Sequence, residues 1–405
     1  MSWDVIVIGC GGFGSAALRE FSQRGLKVLG LDQYSPPHNL GSSHGETRII
    51  RKAYFEHPDY VPLLHRSWDL WQQLEVESGE RLLQRCDLVL SGAPGSEVIS
   101  GARLAAAEHG LRIRNLSAEE ACREYSVLRL PEDHEVTVES TAGYLWVERC
   151  VGTMLRRACA SGAEVRTGER VVALKCSPNS VEVQTTAGRY TASAAVVTCG
   201  PWTSQLLPEY QRLITVRRKT LFWYPLQSEG WAERWRSPIF LIDLPEGQFY
   251  GLPAVDGQRV KVGEHTGGDL VQDASTVERR VSAEDRAPVD AFAASCLRGL
   301  QSASCASAVC LYSMSPDGHF LFDRHPEYPV VTAAGFSGHG FKFTPVLGAA
   351  AADLIVHGRT QLPVQFLSQQ RFDCRFVVTT ERAGDGWLRD TALGGRCSDG
   401  QFATD

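Results

Sequence analysis

The chain opens on an unbroken apolar run, Val5-Ile6-Val7-Ile8, bounded by Asp4 and Gly9. Short, β-branched and stopped by glycine, it reads as a buried strand. The glycines Gly9, Gly11, Gly12 and Gly14 follow, and then an amphipathic stretch, Ser15 to Gly25, that predicts a helix. A second apolar strand, Lys27 to Leu31, ends on Asp32. Farther on, Leu63, Leu64, Trp68, Leu70, Trp71 and Leu74 predict a long helix over Tyr60 to Glu77. Cys86 to Gly92 reads as a strand, Glu97 to Gly110 and Ser117 to Tyr125 as helices, Ala142 to Trp146 as a turn into a strand, and Arg149 to Ser161 as a helix.

Ala163 to Thr167 and Val171 to Leu174 predict strands, and Val181 to Thr185 with Gly188 to Thr191 a hairpin. Ala194 to Gly200 is a further buried strand ending in glycine, as is Val330 to Gly335. Ile214 to Gly268 alternates in strand fashion, Ser282 to Leu300 reads as helical, and Pro345 to His357 is a small-residue helix. The tail from about Val377 has weak periodicity and is expected to be poorly ordered. Nucleotide-type elements therefore stand at the start, middle and end of the chain with other material between them. That pattern implies interleaved domains.

The order strand, glycines, helix, strand, acid makes a place for a dinucleotide. Gly9 suits the tight turn, Gly11 lets the backbone approach a pyrophosphate, and Gly14 lets the helix pack on the sheet. The helix N-terminus offers free N–H groups to phosphate, and Asp32 can accept from a ribose 2′-hydroxyl. By itself this unit also fits an NAD-dependent dehydrogenase.

Composition narrows the class. A chain of 405 residues is more than one core usually serves, so two domains are expected. A net charge of −6 without a clustered basic face argues against nucleic acid as a partner. No apolar run is long enough to span a membrane, and no basic n-region precedes the first strand, so a cytoplasmic protein is expected. The 12 cysteines are scattered without a framework and are expected to be reduced. No metal-binding spacing appears, and no metal is expected.

Several runs carry a resemblance. They are Pro36-Pro37-His38, Gly41-Ser42-Ser43-His44-Gly45-Glu46-Thr47-Arg48-Ile49-Ile50-Arg51, Val260-Lys261-Val262-Gly263-Glu264-His265, Ala308-Val309-Cys310-Leu311-Tyr312, Ser315-Pro316-Asp317 and Gly335-Phe336-Ser337-Gly338-His339-Gly340-Phe341-Lys342-Phe343. In this order, up to about Phe372, the sequence resembles the monomeric sarcosine oxidase and N-methyltryptophan oxidase family, FAD-dependent amine oxidases of the D-amino-acid-oxidase-like superfamily. The resemblance implies an α/β and α+β fold, with a Rossmann-like FAD-binding domain interleaved with an antiparallel-sheet substrate domain. Residues 1–85, 145–213 and 310–375 are expected to form the first, residues 86–144 and 214–309 the second, and 376–405 the tail.

The resemblance also implies roles. Cys310, by itself a plausible buried core cysteine, would form a thioether to the flavin 8α-methyl, its thiolate favoured by His44 and Arg48. Arg51 and Lys342 would clamp a substrate carboxylate. Lys261, which alternation alone would turn outward, would promote reaction with oxygen through its fixed charge. Tyr250, His265 and Tyr312 would line the substrate pocket. Gly9, Gly11, Gly14, Asp32, Ser42, His44, Thr47, Arg48, Val171, Gly200, Trp202, Gly338, Gly340 and Lys342 would lie along FAD, with Trp202 either shielding the flavin or packing. The expected reaction is oxidative demethylation of a small secondary amino acid by a monomer, giving formaldehyde and hydrogen peroxide. N-methyltryptophan and cyclic amines of the pipecolate type are alternatives for the substrate. A flavoprotein passing electrons to a partner is the alternative for the acceptor.

Overall fold

The computed structural model describes residues 2–232 and 237–372; the expectation for the tail at 376–405 lies outside the described residues. The opening strand, Ser2–Ile8, runs parallel to Val28–Leu31 on one side and to Arg189–Val197 on the other. Glu164–Arg166 and Val330–Ala334 extend this parallel core outward. Val171–Ser177, Ser180–Thr185 and Leu321–Arg324 complete an eight-stranded sheet by antiparallel pairing. Its central parallel strands are buried on both faces, one core lying on one side and another under helices on the opposite side. Gly12–Gln23 packs there against Val147–Ala160 and Thr344–His357. The last contact is close: a Cβ on Gly348 would come within 2.9 Å of the Ala16 backbone.

A second sheet of nine strands is antiparallel except where Ile239–Leu244 meets Leu88–Gly92. Its long strand, Thr215–Pro225, has Ala306–Met314 along one edge and Arg259–Glu264 with Asp269–Val271 along the other. Cys310 sits in the Ala306–Met314 strand, opposite Lys219, so the domain boundary expected at 310 falls inside a strand. A third, small sheet is made of Thr47–Ile50, Gly143–Trp146 and Leu83–Arg85.

The elements differ from the sequence reading in four informative places. Gly188–Thr191 and Ala194–Gly200 are one strand, Arg189–Val197, which pairs with the hairpin through its first half and with Val330–Ala334 through its second. The helix expected over Ser282–Leu300 ends at Cys296, because Leu297 leaves to bridge Leu128 and Gly299 turns left-handed at φ 74°. The first helix starts at Gly12 rather than Ser15, so the glycines form its first turn. Thr47–Ile50, within the motif run for which no element was predicted, is a strand.

Candidate active site

The glycine turn is sterically compelled. Gly9 sits at φ 86°, and a Cβ there would lie 2.6 Å from the Thr198 carbonyl oxygen; a Cβ on Gly14 would lie 1.7 Å from the Gly9 oxygen. Gly11, by contrast, faces open space, with only Ser43 Oγ near, 3.8 Å from where its Cβ would be. The helix behind them has no cap from its N-cap residue; its Gly12 N–H donates to Ser43 Oγ at 3.2 Å, and the positive end of the helix faces the cavity as a place for an anion. Buried Asp32 accepts from the Cys10 N–H at 2.7 Å and the Tyr34 N–H at 2.8 Å.

From this turn a cavity of about 630 Å³ runs past Asp32, Val171, Gly200 and Trp202, then Ser42 and Arg48, to Tyr312, Gly338 and Gly340. That volume is in the range of cofactor sites. Trp202 stands at the Tyr34 end, ring centroids 5.6 Å apart, and donates from Nε1 to Ser275 Oγ at 2.9 Å. At the far end, a Cβ on Gly338 (φ 83°) would strike the Tyr312 ring at 2.2 Å.

Cys310 is completely buried. Its sulfur lies 3.5 Å from Arg48 Nη2, which also donates to the Ser42 carbonyl at 3.0 Å. Burial pushes the thiol up, but a hydrogen bond from His44 and the charges of Arg48, His44 and Lys261 outweigh it and bring it to about 7. Lys261 is buried too and donates from Nζ to the carbonyls of Gly45 and Thr47, both at 2.7 Å. Burial, then Arg48, hold its pKa well below the ordinary lysine value. Two buried polar atoms on the same segment, His44 Nε2 and Thr47 Oγ1, have no protein partner. Unpaired buried groups are costly, and these mark a place for a polar ligand. With the glycine turn at the helix N-terminus, Asp32 and the thiol, the residues fit FAD.

A smaller void of about 70 Å³ shares the walls Arg48, Tyr312, Gly338 and Phe341 with the large cavity. Arg51, Lys342, Tyr250 and His265 all line it, so the fold brings the expected substrate residues together. Lys342 donates to the His339 carbonyl at 2.7 Å and is brought down to about 7, mainly by burial and then by Arg51. His265 lies just past the Arg259–Glu264 strand, its N–H bonded to the Gln248 carbonyl; burial brings its imidazole down to about 4 and keeps it neutral.

Sequence reasoning missed Glu56. Its carboxylate accepts Arg51 Nη2 through both oxygens, at 2.7 and 2.6 Å. Burial pushes Glu56 up, but Arg51, then His339 and Lys342, overcome that and hold it at about 2. The Arg51 guanidinium is also sandwiched between the Tyr54 and Phe55 rings, 4.1 Å from each. His339, brought to about 3 by burial, bonds the Tyr54 hydroxyl at 2.5 Å. The available signal was physical: an arginine placed among aromatics needs a counter-charge, and Glu56 is the first acid after it.

Among the described residues no group of His, Cys, Asp and Glu is placed to hold a metal ion, and no helix is long and apolar enough to cross a membrane. The family model for FAD dependent oxidoreductases matches residues 4–354. Monomeric sarcosine oxidase of Bacillus sp. (strain B-0618) is 36% identical over 375 residues, covering 91% of this chain and 96% of the relative. N-methyl-L-tryptophan oxidase of Yersinia pestis (strain Pestoides F) is 35% identical over 385 residues, covering 92% and 100%. Among solved structures, NikD, described as an unusual amino acid oxidase essential for nikkomycin biosynthesis, superposes with a TM-score of 0.79 at 25% identity, covering 91% of this chain and 97% of its own.

Proposed function

This chain belongs to the FAD dependent oxidoreductase family, and we propose that it oxidises a small N-methylated amino acid of the sarcosine type. The N-methyl group leaves as formaldehyde while oxygen is reduced to hydrogen peroxide. Water supplies the formaldehyde oxygen, so amine, oxygen and water balance against demethylated amino acid, formaldehyde and peroxide.

One observation carries the reading: the void bearing Arg51 and Lys342 shares the walls Arg48, Tyr312, Gly338 and Phe341 with the large cavity, and behind that shared wall Arg48 lies 3.5 Å from the Cys310 sulfur. When bound, FAD supplies the two-electron acceptor and the route to oxygen. The protein's share is placement and field. Arg51, with Lys342 when protonated, takes the substrate carboxylate and points the amine toward Tyr312 and Gly338. The neutral His265 imidazole can exchange a hydrogen bond with the substrate nitrogen, while the Arg51 cation lining the same void favours the unprotonated amine, whose N-methyl carbon can give up hydride. Lys261 holds a positive charge where oxygen would acquire a negative one. Arg48 and His44 favour the Cys310 thiolate required for covalent attachment of the flavin.

Size favours the smaller substrate. A water needs roughly 10–15 Å³ of such space, so 70 Å³ holds about five to seven non-hydrogen atoms. Sarcosine has about that many, and an indole side chain would need a large rearrangement of Leu88, Leu90, Leu241 and Phe55. The reading places the protein in the cytoplasm as a monomer acting on free amino acid.

The test is the visible spectrum of the purified protein before and after acid precipitation, followed by anaerobic addition of sarcosine or N-methyl-L-tryptophan. Colour that stays in the pellet, maps to Cys310 and bleaches with sarcosine is expected. Bleaching only with the indole substrate would overturn the size argument. A colourless protein that binds NAD would overturn the reading, and reduction without peroxide on admitting air would replace oxygen by a partner protein.

A further inference from the structure

We propose that Glu148 is a positioning residue, whose carboxylate locks a left-handed turn at Gly45–Glu46 so that the turn's carbonyls hold the Lys261 ammonium in place. The proposal rests on the reading of Lys261 as the charge at the oxygen site.

The turn is unusual in sequence and in shape. Gly45 has φ 87° and Glu46 has φ 73°, and a glutamate seldom occupies that region because its Cβ crowds the carbonyl. Gly45 suits its left-handed φ, and a Cβ there would also press on the Leu221 side chain, 2.5 Å from its Cδ1. What stabilises the conformation is Glu148, in the first turn of the Val147–Ala160 helix, where a negative charge is favoured. Its Oε1 accepts the Gly45 N–H at 2.6 Å, and its two oxygens share the Glu46 N–H at 3.1 Å each. Two successive N–H groups converging on one anion form a nest.

With the N–H groups turned toward Glu148, two carbonyls of the segment, those of Gly45 and Thr47, receive the Lys261 Nζ. The Glu46 carboxylate accepts the indole N–H of Trp223 at 2.8 Å, and Trp223 stands directly across from Lys261 in the sheet. The Val147 N–H donates to the Glu46 carbonyl at 2.9 Å. Helix, turn and sheet thus converge on one ammonium. The charged and titratable groups facing it are Arg48, which opposes its protonation, and Cys310, Glu148 and Glu46, which favour it. Glu148 therefore acts twice, by shaping the acceptors and by supplying charge.

The experiment compares wild type, Glu148→Gln, Glu148→Asp and Lys261→Met as flavin-loaded proteins. Stopped-flow measures flavin reduction by sarcosine without oxygen, and separately the reaction of reduced protein with oxygen. Nitrogen NMR of labelled lysine side chains follows the Lys261 ammonium with pH in the oxidised resting protein, the resonance being assigned by its loss in Lys261→Met. In Glu148→Gln the oxygen reaction is expected to fall roughly 10- to 100-fold, with reduction changed less than about threefold. The Lys261 ammonium should deprotonate at lower pH, and Glu148→Asp should recover part of both effects. An unchanged Lys261 titration in Glu148→Gln would overturn the proposal, and so would equal slowing of both half-reactions. If Lys261→Met leaves the oxygen reaction intact, the oxygen reading fails. The titration then decides the Glu148–Lys261 coupling alone, a shift supporting it and no shift overturning it.

Discussion

Glu56→Gln should tighten, not weaken, the binding of simple carboxylic acids. Arg51 is the expected receptor for a substrate carboxylate, yet its Nη2 already donates to both oxygens of Glu56. The pair is largely buried, with side-chain exposures of 5% and 15%, so solvent screens it little. An incoming carboxylate must share or displace that partner and meets its like charge. A hydrogen bond to an ionised group is worth about 1.5–3 kcal/mol against about 1 for a neutral one. Replacing the carboxylate by an amide should therefore release on the order of 1–2 kcal/mol to the ligand, a roughly 5- to 30-fold lower Kd.

A second effect runs the other way. Glu56 raises Lys342, so its loss lowers a lysine already brought to about 7. Measured at roughly pH 8, where that lysine is mostly neutral in either protein, the Arg51 contribution stands alone; near pH 6 the gain should shrink. The assay is titration of the flavin absorbance with acetate at both pH values, alongside Tm, which should drop a few degrees because Arg51 loses its full counter-charge. Unchanged or weaker acetate binding at the higher pH would refute the competition and, with it, the placement of the substrate carboxylate on Arg51.

Arg48→Met should raise the Cys310 thiol from about 7 toward its ordinary value. The thiolate fraction grows as pH rises through the pKa, so covalent attachment of FAD to the colourless protein should move to more alkaline pH, followed as acid-precipitable flavin. Asp32→Ala removes the acceptor of the Cys10 and Tyr34 N–H groups and of the expected ribose, and should yield protein with much less flavin per chain, read from the ratio of visible to ultraviolet absorbance. Gly338→Ala forces a methyl to within 2.2 Å of the Tyr312 ring at a left-handed φ and should cost about 1–3 kcal/mol, seen as a lower Tm. A Tm within a degree of wild type would mean that Tyr312 moves freely.

Much of this protein was legible without coordinates. The glycine turn is local: Gly9 and Gly14 are demanded by φ and by contacts within a single strand–turn–helix unit, so residue type and spacing suffice to announce it. The helices at Tyr60–Ser78 and Thr344–His357 were legible for the same reason, because apolar periodicity in the first and small-residue composition in the second are properties of one segment. The motif runs hold Arg48, Lys261, Cys310 and Lys342, and the fold places Arg48 and Lys342 on the walls of two cavities that share four residues, with Cys310 and Lys261 packed behind Arg48.

Tertiary structure alone decided who partners whom. Glu56 on Arg51, Glu148 on the Gly45–Glu46 turn and Trp223 beside Lys261 join segments, or sides of a loop, that no period relates. The partner switch along Arg189–Val197 and the early end of the helix at Cys296 depend on which strand or loop arrives next to them. A buried charge is compensated by whatever the fold brings within hydrogen-bond reach, and that reach is a distance in space. Residue type and spacing set the cofactor turn and supplied the chemistry at hand; packing set the field in which that chemistry operates.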